Sequence, residues 1–240
     1  MKPFSPFRLS ALLLSLLLLT VSLSACGMEL LEQTTVGDFT FSLYGKDRVE
    51  RIEVKRGEER IGSYEQKGLS REMLRSMGDD SYGLIFTDLN FDRKPDMMLT
   101  VANTKSGKQS AVYLWDETAG EYVYHKLLSS LHGVGMIASL GVITAQEYEY
   151  TVDPAVGDTP EFYTERNSYL LYRWIDGKLT EVYRKDLTYY EESDIYCYAV
   201  YARAESGEMD TVRESWINAE KMDPAEYPLD ADGYEGYVAN

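Results

Sequence analysis

Residues 172–184, YRWIDGKLTEVYR, have a form that recurs along this chain: a strand-like run, a polar turn containing glycine, and a second strand-like run. Residues 113–125, YLWDETAGEYVYH, and residues 201–214, YARAESGEMDTVRE, have the same form. The glycines of the three turns lie 57 and 30 residues apart, so the spacing is not fixed. The sequence therefore predicts recurring hairpins rather than a strict repeat.

The rest of the chain supports an all-β fold, because short strand-like runs alternate with turns and helix signals are few. The 20 tyrosines fall mostly in the strand-like runs, where aromatic side chains pack well on a pleated surface. A short helix is predicted near residues 70–77, where Ser70 can act as the cap and Gly78 can end the helix. We therefore expect a β-propeller-like fold or stacked antiparallel hairpins, with one or two short helices.

The N-terminus has the features of a secretory leader. Lys2 and Arg8 precede an uncharged, leucine-rich run of 17 residues, residues 9–25, which is short for a bilayer span of about 20 residues. The run ends in LSAC, residues 23–26, which resembles the lipobox of bacterial lipoproteins. The resemblance implies cleavage before Cys26 and a lipid on its sulfur, and hence a membrane-anchored chain outside the cytoplasm. An ordinary cleaved signal with a cysteine nearby by chance is the alternative.

The net charge of the chain limits the kinds of molecule that it can bind. The chain carries 24 basic and 40 acidic residues, and removal of residues 1–25 leaves 22 basic residues and a net charge of −18. A surface this acidic argues against binding to nucleic acid, and it attracts cations.

The expected organisation is a signal peptide over residues 1–25, a tether over 26–35, a β domain over 36–216 and an acidic C-terminal extension over 217–240. With Cys26 used by the anchor, Cys197 is left without a partner for an intramolecular disulfide. Cys197 lies in a strand-like run, so we expect it to be a buried, small apolar residue.

Residues 88–99, DLNFDRKPDMML, place polar side chains at alternating positions between two predicted strands. Calcium prefers six to eight oxygen ligands, and such spacing can direct side-chain oxygens toward one ion. The candidate ligands are Asp88, Asn90, Asp92 and Asp96, with the backbone carbonyl of Lys94. The loop is not an EF-hand, because Leu99 stands where the bidentate glutamate belongs.

The strand–DxNxDxxxD–strand pattern, followed by the YLW hairpin, resembles the FG-GAP/VCBS-type repeat of β-propeller proteins over residues 81–125. That family holds calcium in DxDxDGxxD loops, so the resemblance implies Ca²⁺ at the same five residues. Some secreted bacterial proteins of similar form inhibit cell-wall hydrolases. Here Arg93 replaces the family's glycine, and a residue with a β-carbon takes positive φ at a cost of about 1 kcal/mol. The alternative is a loop held by aspartate-to-backbone bonds, with Arg93 or Lys94 paired to an aspartate in place of the metal.

No common catalytic motif occurs in the sequence. We therefore expect a non-enzymatic, lipid-anchored envelope module that recognises or inhibits a protein or wall component. A hydrolase with a carboxylate pair is the first alternative, since 40 acidic residues allow many such pairs. An assembly lipoprotein that pairs through its strand edges is the second. Trp115 and Trp174 are expected in the core rather than in a sugar site.

Overall fold

The structure, a computed structural model, describes residues 27–153 and 161–234. The leader and the predicted lipidation residue, Cys26, lie outside the described residues. Within them, no helix combines the length and the apolar character needed to cross a bilayer. The chain divides into two compact units between Tyr82 and Gly83. This corrects the expectation of a single β domain over residues 36–216, because the first four strands form a sheet of their own.

The first unit is an antiparallel meander followed by a short helix. Its elements are β1 (Glu29–Val36), β2 (Phe39–Gly45), β3 (Val49–Arg56), β4 (Glu59–Glu65) and α1 (Arg71–Ser76). The predicted cap is confirmed, since the Ser70 side chain accepts the N–H of Met73 at 3.3 Å. The apolar side chains buried in this unit are Phe39, Phe41, Leu43, Val49, Ile52, Val54 and Leu74.

The predicted tether over residues 26–35 is wrong for its described part. Residues 29–36 form β1 and pair with β2 from Glu29–Gly45 to Val36–Phe39. The segment ELLEQTTV has few large apolar residues because most of β1 is exposed or half-buried. Its backbone hydrogen bonds, rather than a buried side-chain face, hold it in the sheet.

The second unit is a ten-stranded antiparallel sheet that remains open. The strands lie in the order β14-β13-β12-β11-β10-β9-β7-β6-β5, with β8 paired to β7. Their bounds are β5 (Leu84–Thr87), β6 (Asp96–Thr104), β7 (Gly107–Asp116), β8 (Glu121–Tyr124), β9 (His132–Ile137), β10 (Val142–Asp153), β11 (Phe162–Ile175), β12 (Lys178–Tyr190), β13 (Ile195–Arg203) and β14 (Met209–Asn218). A short helix, α2 (Lys126–Ser130), lies between β8 and β9. The all-β prediction with antiparallel hairpins is confirmed, and because both sheets are open the propeller form is not.

All three predicted hairpins are present, as β7–β8, β11–β12 and β13–β14. The β11–β12 turn shows why the sequence specifies it. Ile175 pairs with Lys178, which leaves a two-residue loop in which Asp176 and Gly177 have φ of 50° and 73°. Two-residue hairpin loops with positive φ at both positions match the twist of the strands and favour Asp-Gly.

Residues 217–240 are not a loose extension in their described part. Ile217, the last residue but one of β14, is buried, and Tyr234 is buried in a cluster with Tyr183 and Tyr198. Lys185, which is itself buried, donates a hydrogen bond to Asp230 at 2.8 Å. The segment after β14 therefore covers one face of the sheet. The prediction for Cys197 is confirmed, because it is a free, buried thiol.

Candidate functional site

The loop between β5 and β6 folds around the carboxylate of Asp88. Its Oδ1 accepts the backbone N–H of Asp92 at 3.0 Å, and its Oδ2 accepts the N–H of Arg93 at 2.9 Å. Both bonds link the start of the loop to its middle. Asp88 therefore closes the loop from the inside.

The next two polar positions continue this pattern. The Asn90 side-chain oxygen accepts the N–H of Asp92 at 3.2 Å, and Asp92 Oδ1 accepts the N–H of Lys94 at 2.8 Å. The Asn90 amide also donates to Asp92 Oδ2 at 3.0 Å. The alternating spacing thus brings the three side chains Asp88, Asn90 and Asp92 together around the loop backbone.

Asp96 has a different position from the other three. Its side chain is fully buried, and its two oxygens accept the N–H groups of Leu89 at 2.8 Å and Trp115 at 2.9 Å. Burial raises the pKa of Asp96 to about 7, and these backbone hydrogen bonds oppose that rise. Asp96 therefore joins both ends of the loop to β7.

Arg93 adopts a backbone conformation with positive φ, which glycine takes without strain. Its φ is 68°, and Phe91 two residues earlier has a φ of 60°. Within the described residues, no ion pair joins Arg93 or Lys94 to the loop aspartates; Lys94 lies 4.0 Å from Glu117 on the next hairpin. The aspartate-to-backbone bonds of the alternative interpretation are therefore present, whereas the substitute ion pair is not.

The loop's oxygen groups fit the preferences of calcium better than those of zinc. Across residues 27–153 and 161–234, no group of three or more histidine, cysteine or acidic side chains is placed to hold a metal ion. Calcium also takes amide, backbone carbonyl and water oxygens, so two carboxylates with Asn90 and the Lys94 carbonyl match its chemistry. A carboxylate oxygen that accepts one backbone N–H keeps a lone pair for a further partner.

Two aromatic side chains fix the loop to its neighbours. The Tyr122 hydroxyl on β8 donates to the Pro95 carbonyl at 2.8 Å, and Trp174 Nε1 on β11 donates to the Leu89 carbonyl at 2.8 Å. Together with Asp96, these bonds hold the loop against three strands. The loop is therefore a rigid wall at this end of the sheet.

An open groove of about 560 Å³ lies beside this wall. The loop, the β7–β8 hairpin, the start of α2 and the β11–β12 turn form its sides. Val123 and Tyr124 at the end of β8 are 44% and 50% exposed, which is high for large apolar side chains. The residues lining the groove are Asn90, Asp92, Leu114, Trp115, Asp116, Glu117, Val123, Tyr124, His125, Trp174 and Gly177.

The aromatic side chains of the groove are held in place by contacts beneath them. Tyr124 packs edge-on against the buried Tyr113, with ring centroids 5.4 Å apart. Trp174 meets the His125 ring edge-on at 5.4 Å. His125 Nδ1 accepts the N–H of Leu128 at 3.1 Å, which places the proton of the neutral ring on Nε2. Burial lowers the pKa of His125, so this neutral form is favoured.

The charged residues that line the groove all have the same sign. Asp92, Asp116 and Glu117 supply three carboxylates, and no lysine or arginine is among the lining residues. Glu117 Oε2 accepts the indole N–H of Trp115 at 2.7 Å, and Asp116 Oδ1 accepts the N–H groups of Thr118 and Ala119. These bonds fix the carboxylates at the rim.

Comparison with known proteins adds a fold likeness. No family model matches the chain, and no curated protein matches it. One similar solved structure is described as the structure of a Xanthomonas Type IV Secretion System related protein. It is 15% identical, with a TM-score of 0.50, over 76% of this chain and 92% of that chain. At this identity the likeness concerns the fold alone.

The sequence identified the loop and missed the groove. Trp115 is buried as predicted, whereas Trp174 is half-buried and also lines the groove. Tyr124 carried no signal, because it is one of 20 tyrosines that fall mostly in strand-like runs, and nothing next to His125 in the sequence indicated a groove. The consecutive residues Trp115, Asp116 and Glu117, an aromatic residue followed by two acidic ones, were the sequence signal for the rim of the groove.

Proposed function

We propose that this protein is a lipid-anchored binding module of the cell envelope, without catalytic activity, that recognises a protein or wall component through the groove. The observation that carries the proposal is the groove itself. It combines exposed apolar and aromatic side chains with a rigid support. Binding sites of this kind use fixed aromatic anchors, because little conformational freedom is lost on binding.

The envelope location is supported by the leader and by the LSAC motif before Cys26. A lipid on Cys26 would place the chain on a membrane surface, and two or three acyl chains are needed for stable anchoring. The fold likeness to a protein described as Type IV secretion system related agrees with a role at the envelope. Mass spectrometry of the mature protein tests this part, since diacylglycerol on Cys26 and loss of residues 1–25 give a defined mass.

Binding through the groove is tested with a matched pair of double variants of the full chain, purified in detergent. Val123→Ala/Tyr124→Ala removes exposed side chains in the groove. Val152→Ala/Tyr150→Ala removes a valine and a tyrosine of similar exposure, 46% and 51%, on β10. Co-sedimentation with isolated cell walls, and pull-down of solubilised envelope proteins, should fail for the groove variant and persist for the β10 variant. Equal binding by both variants would refute a role for the groove.

We further propose that calcium stabilises the loop, held by the side-chain oxygens of Asp88, Asn90 and Asp92 and the backbone carbonyl of Lys94. The fifth ligand expected from the sequence, Asp96, is left out of this set, because its carboxylate is fully buried and accepts the N–H groups of Leu89 and Trp115. Two features support a calcium site here. The backbone at Arg93 has a positive φ, which turns the loop around Asp88, and each carboxylate oxygen that accepts one backbone N–H keeps a lone pair for a metal ion. We expect affinity in the weak extracellular range, on the order of 10⁻⁴ to 10⁻³ M. Bound calcium would fix the groove wall and take no part in chemistry.

Thermal unfolding in calcium, in magnesium and in EDTA tests the calcium site. A ligand at 100 times its Kd adds about 2.7 kcal/mol to the free energy of unfolding. Asp92→Ala should abolish a calcium-specific rise in Tm, whereas Asp210→Ala, an exposed acid on β14, should leave it intact. Absence of any calcium-specific rise in the wild type would mean that backbone bonds alone hold the loop.

One observation favours the hydrolase alternative. Asp186 and Glu181 both line a second cavity of about 410 Å³, and burial raises the pKa of Asp186. Asp186 is 6% exposed and its Oδ1 has no hydrogen-bond partner among the described residues, while Glu181 forms a two-point pair with Arg184 at 2.7 and 3.1 Å. Release of soluble fragments from cell walls by the wild type, lost in Asp186→Asn, would support catalysis and overturn the binding-only proposal.

A further inference from the structure

We propose that the groove accepts a lysine or arginine side chain presented by a basic protein, with its cation held between the aromatic faces and the carboxylates of the rim. This inference rests on the proposed function, because it specifies the partner chemistry for the same groove. It follows from the charge, the aromatic surface and the rigidity of the site.

Charge complementarity favours a cationic occupant. Among the described residues that line the groove, Asp116 and Glu117 supply carboxylates outside the proposed calcium site and none is basic, and the whole chain has a net charge of −16. Lys94 lies 4.0 Å from Glu117, at the limit of an ion pair, and both side chains are solvent-exposed. An exposed ion pair of this length contributes little.

The aromatic and apolar surface suits the rest of such a side chain. The face of a tyrosine or tryptophan ring carries partial negative charge and attracts an ammonium or guanidinium group within about 6 Å of its centre. Tyr124 and Trp174 supply two such rings, and Leu114 and Val123 supply apolar surface for the side chain's methylene groups. A neutral sugar would also stack on the rings, but it would gain much less from the carboxylates of Asp116 and Glu117.

Contacts with neighbouring residues hold the aromatic side chains of the groove in fixed positions before a ligand binds. Tyr113 supports Tyr124, His125 supports Trp174, and the Trp174 indole N–H is bonded to the loop. A site whose rings already have their bound positions loses little entropy on binding. We therefore expect the groove to select for the charged group itself rather than to adapt to varied shapes.

Isothermal titration of the full chain in detergent with two synthetic peptides tests the inference. The first is a nonapeptide of alternating arginine and glycine. The second has citrulline in place of each arginine, which keeps the shape and removes the charge. The arginine peptide should bind at least about tenfold more tightly, and its affinity should fall as salt is raised from 50 to 200 mM.

Charge-neutral variants locate the binding. Asp116→Asn/Glu117→Gln keeps an oxygen to accept the turn and indole N–H groups while removing two negative charges. Glu205→Gln/Glu208→Gln removes two charges from exposed positions on the β13–β14 turn and serves as the control. The groove variant should weaken the arginine peptide about tenfold, and the control should weaken it less than twofold.

Two outcomes would overturn the inference. Equal affinity for the arginine and citrulline peptides would exclude a role for the cation, and equal weakening by both double variants would mean that only the general acidic field attracts the peptide. Titration with chito-oligosaccharides provides a third arm, because tight binding of the sugar that depends on Tyr124 would assign the groove to a glycan instead. Loss of envelope binding in the Val123→Ala/Tyr124→Ala variant together with a negative peptide result would retain the proposed function and reject only the cationic occupant.

Discussion

Replacing Tyr234 with alanine tests whether the C-terminal segment is part of the folded second unit. Tyr234 is 3% exposed, and its ring meets Tyr183 edge-on at 5.5 Å. Loss of a buried aromatic side chain costs about 3–5 kcal/mol, which includes the cavity left behind. Because Tyr234 lies in a segment that follows the last strand of the sheet, its neighbours can relax into the space. We therefore expect the lower value, about 3 kcal/mol.

Tryptophan fluorescence during thermal and urea unfolding is the appropriate assay. The three tryptophans, Trp115, Trp174 and Trp216, all lie in the second unit, so their signal reports that unit alone. For a unit of this size, about 3 kcal/mol lowers Tm by about 6–12 °C. Val212→Ala, at an exposed position on β14, should stay within about 0.5 kcal/mol of the wild type. The same small effect for Tyr234→Ala would refute the packed position of the segment.

Three further changes probe single contacts. Burial opposes ionisation of Asp230, but the hydrogen bond from Lys185 outweighs this effect and holds the pKa of Asp230 below its usual value. The pair therefore stabilises the fold above about pH 4, and this stabilisation is lost in more acidic solution. Asp230→Asn should reduce the difference in the free energy of unfolding between pH 3 and pH 7, as measured by urea unfolding. Arg93→Gly should raise the free energy of unfolding by up to about 1 kcal/mol, because glycine adopts positive φ without strain, and a loss of stability in urea would contradict this. His125→Ala should cost about 1 kcal/mol at pH 8, because the Leu128 N–H loses its cap, as measured by urea unfolding. The stability difference between the wild type and His125→Ala should shrink as the pH falls through about 6.5, because the unfolded histidine binds a proton more readily than the buried one. The opposite contribution of Asp96 is present in both proteins and cancels in this difference.

The hairpins could be predicted from the sequence because their signals are local. Asp176 and Gly177 specify a two-residue turn by their own backbone preferences, and the flanking residues alternate as a strand requires. The polar loop was recognisable for the same reason, since Asp88, Asn90 and Asp92 act within five residues of one another. The hairpin turn and the polar loop are therefore both determined by interactions between residues that are close together in the sequence.

The features that the sequence did not predict depend on distant contacts. β1 carries little apolar periodicity, and its pairing with β2 becomes evident only from the sheet. The segment after β14 is acidic and contains prolines, so its buried residue Tyr234 was hidden in a composition typical of a loose tail. The groove combines residues from positions 90 to 177, and no spacing along the chain indicates such an assembly.

The order of strands in the second sheet has a consequence for how the protein forms. Each pairing joins strands that follow one another along the chain, apart from that of β7 with β9, which passes over β8. Closing such short connections costs little chain entropy, and local pairings form faster than distant ones. A polypeptide that emerges from a membrane with its N-terminus first can therefore add each new strand to one already in place. We expect the sheet to grow in the order of delivery, with the segment around Tyr234 closing over it last.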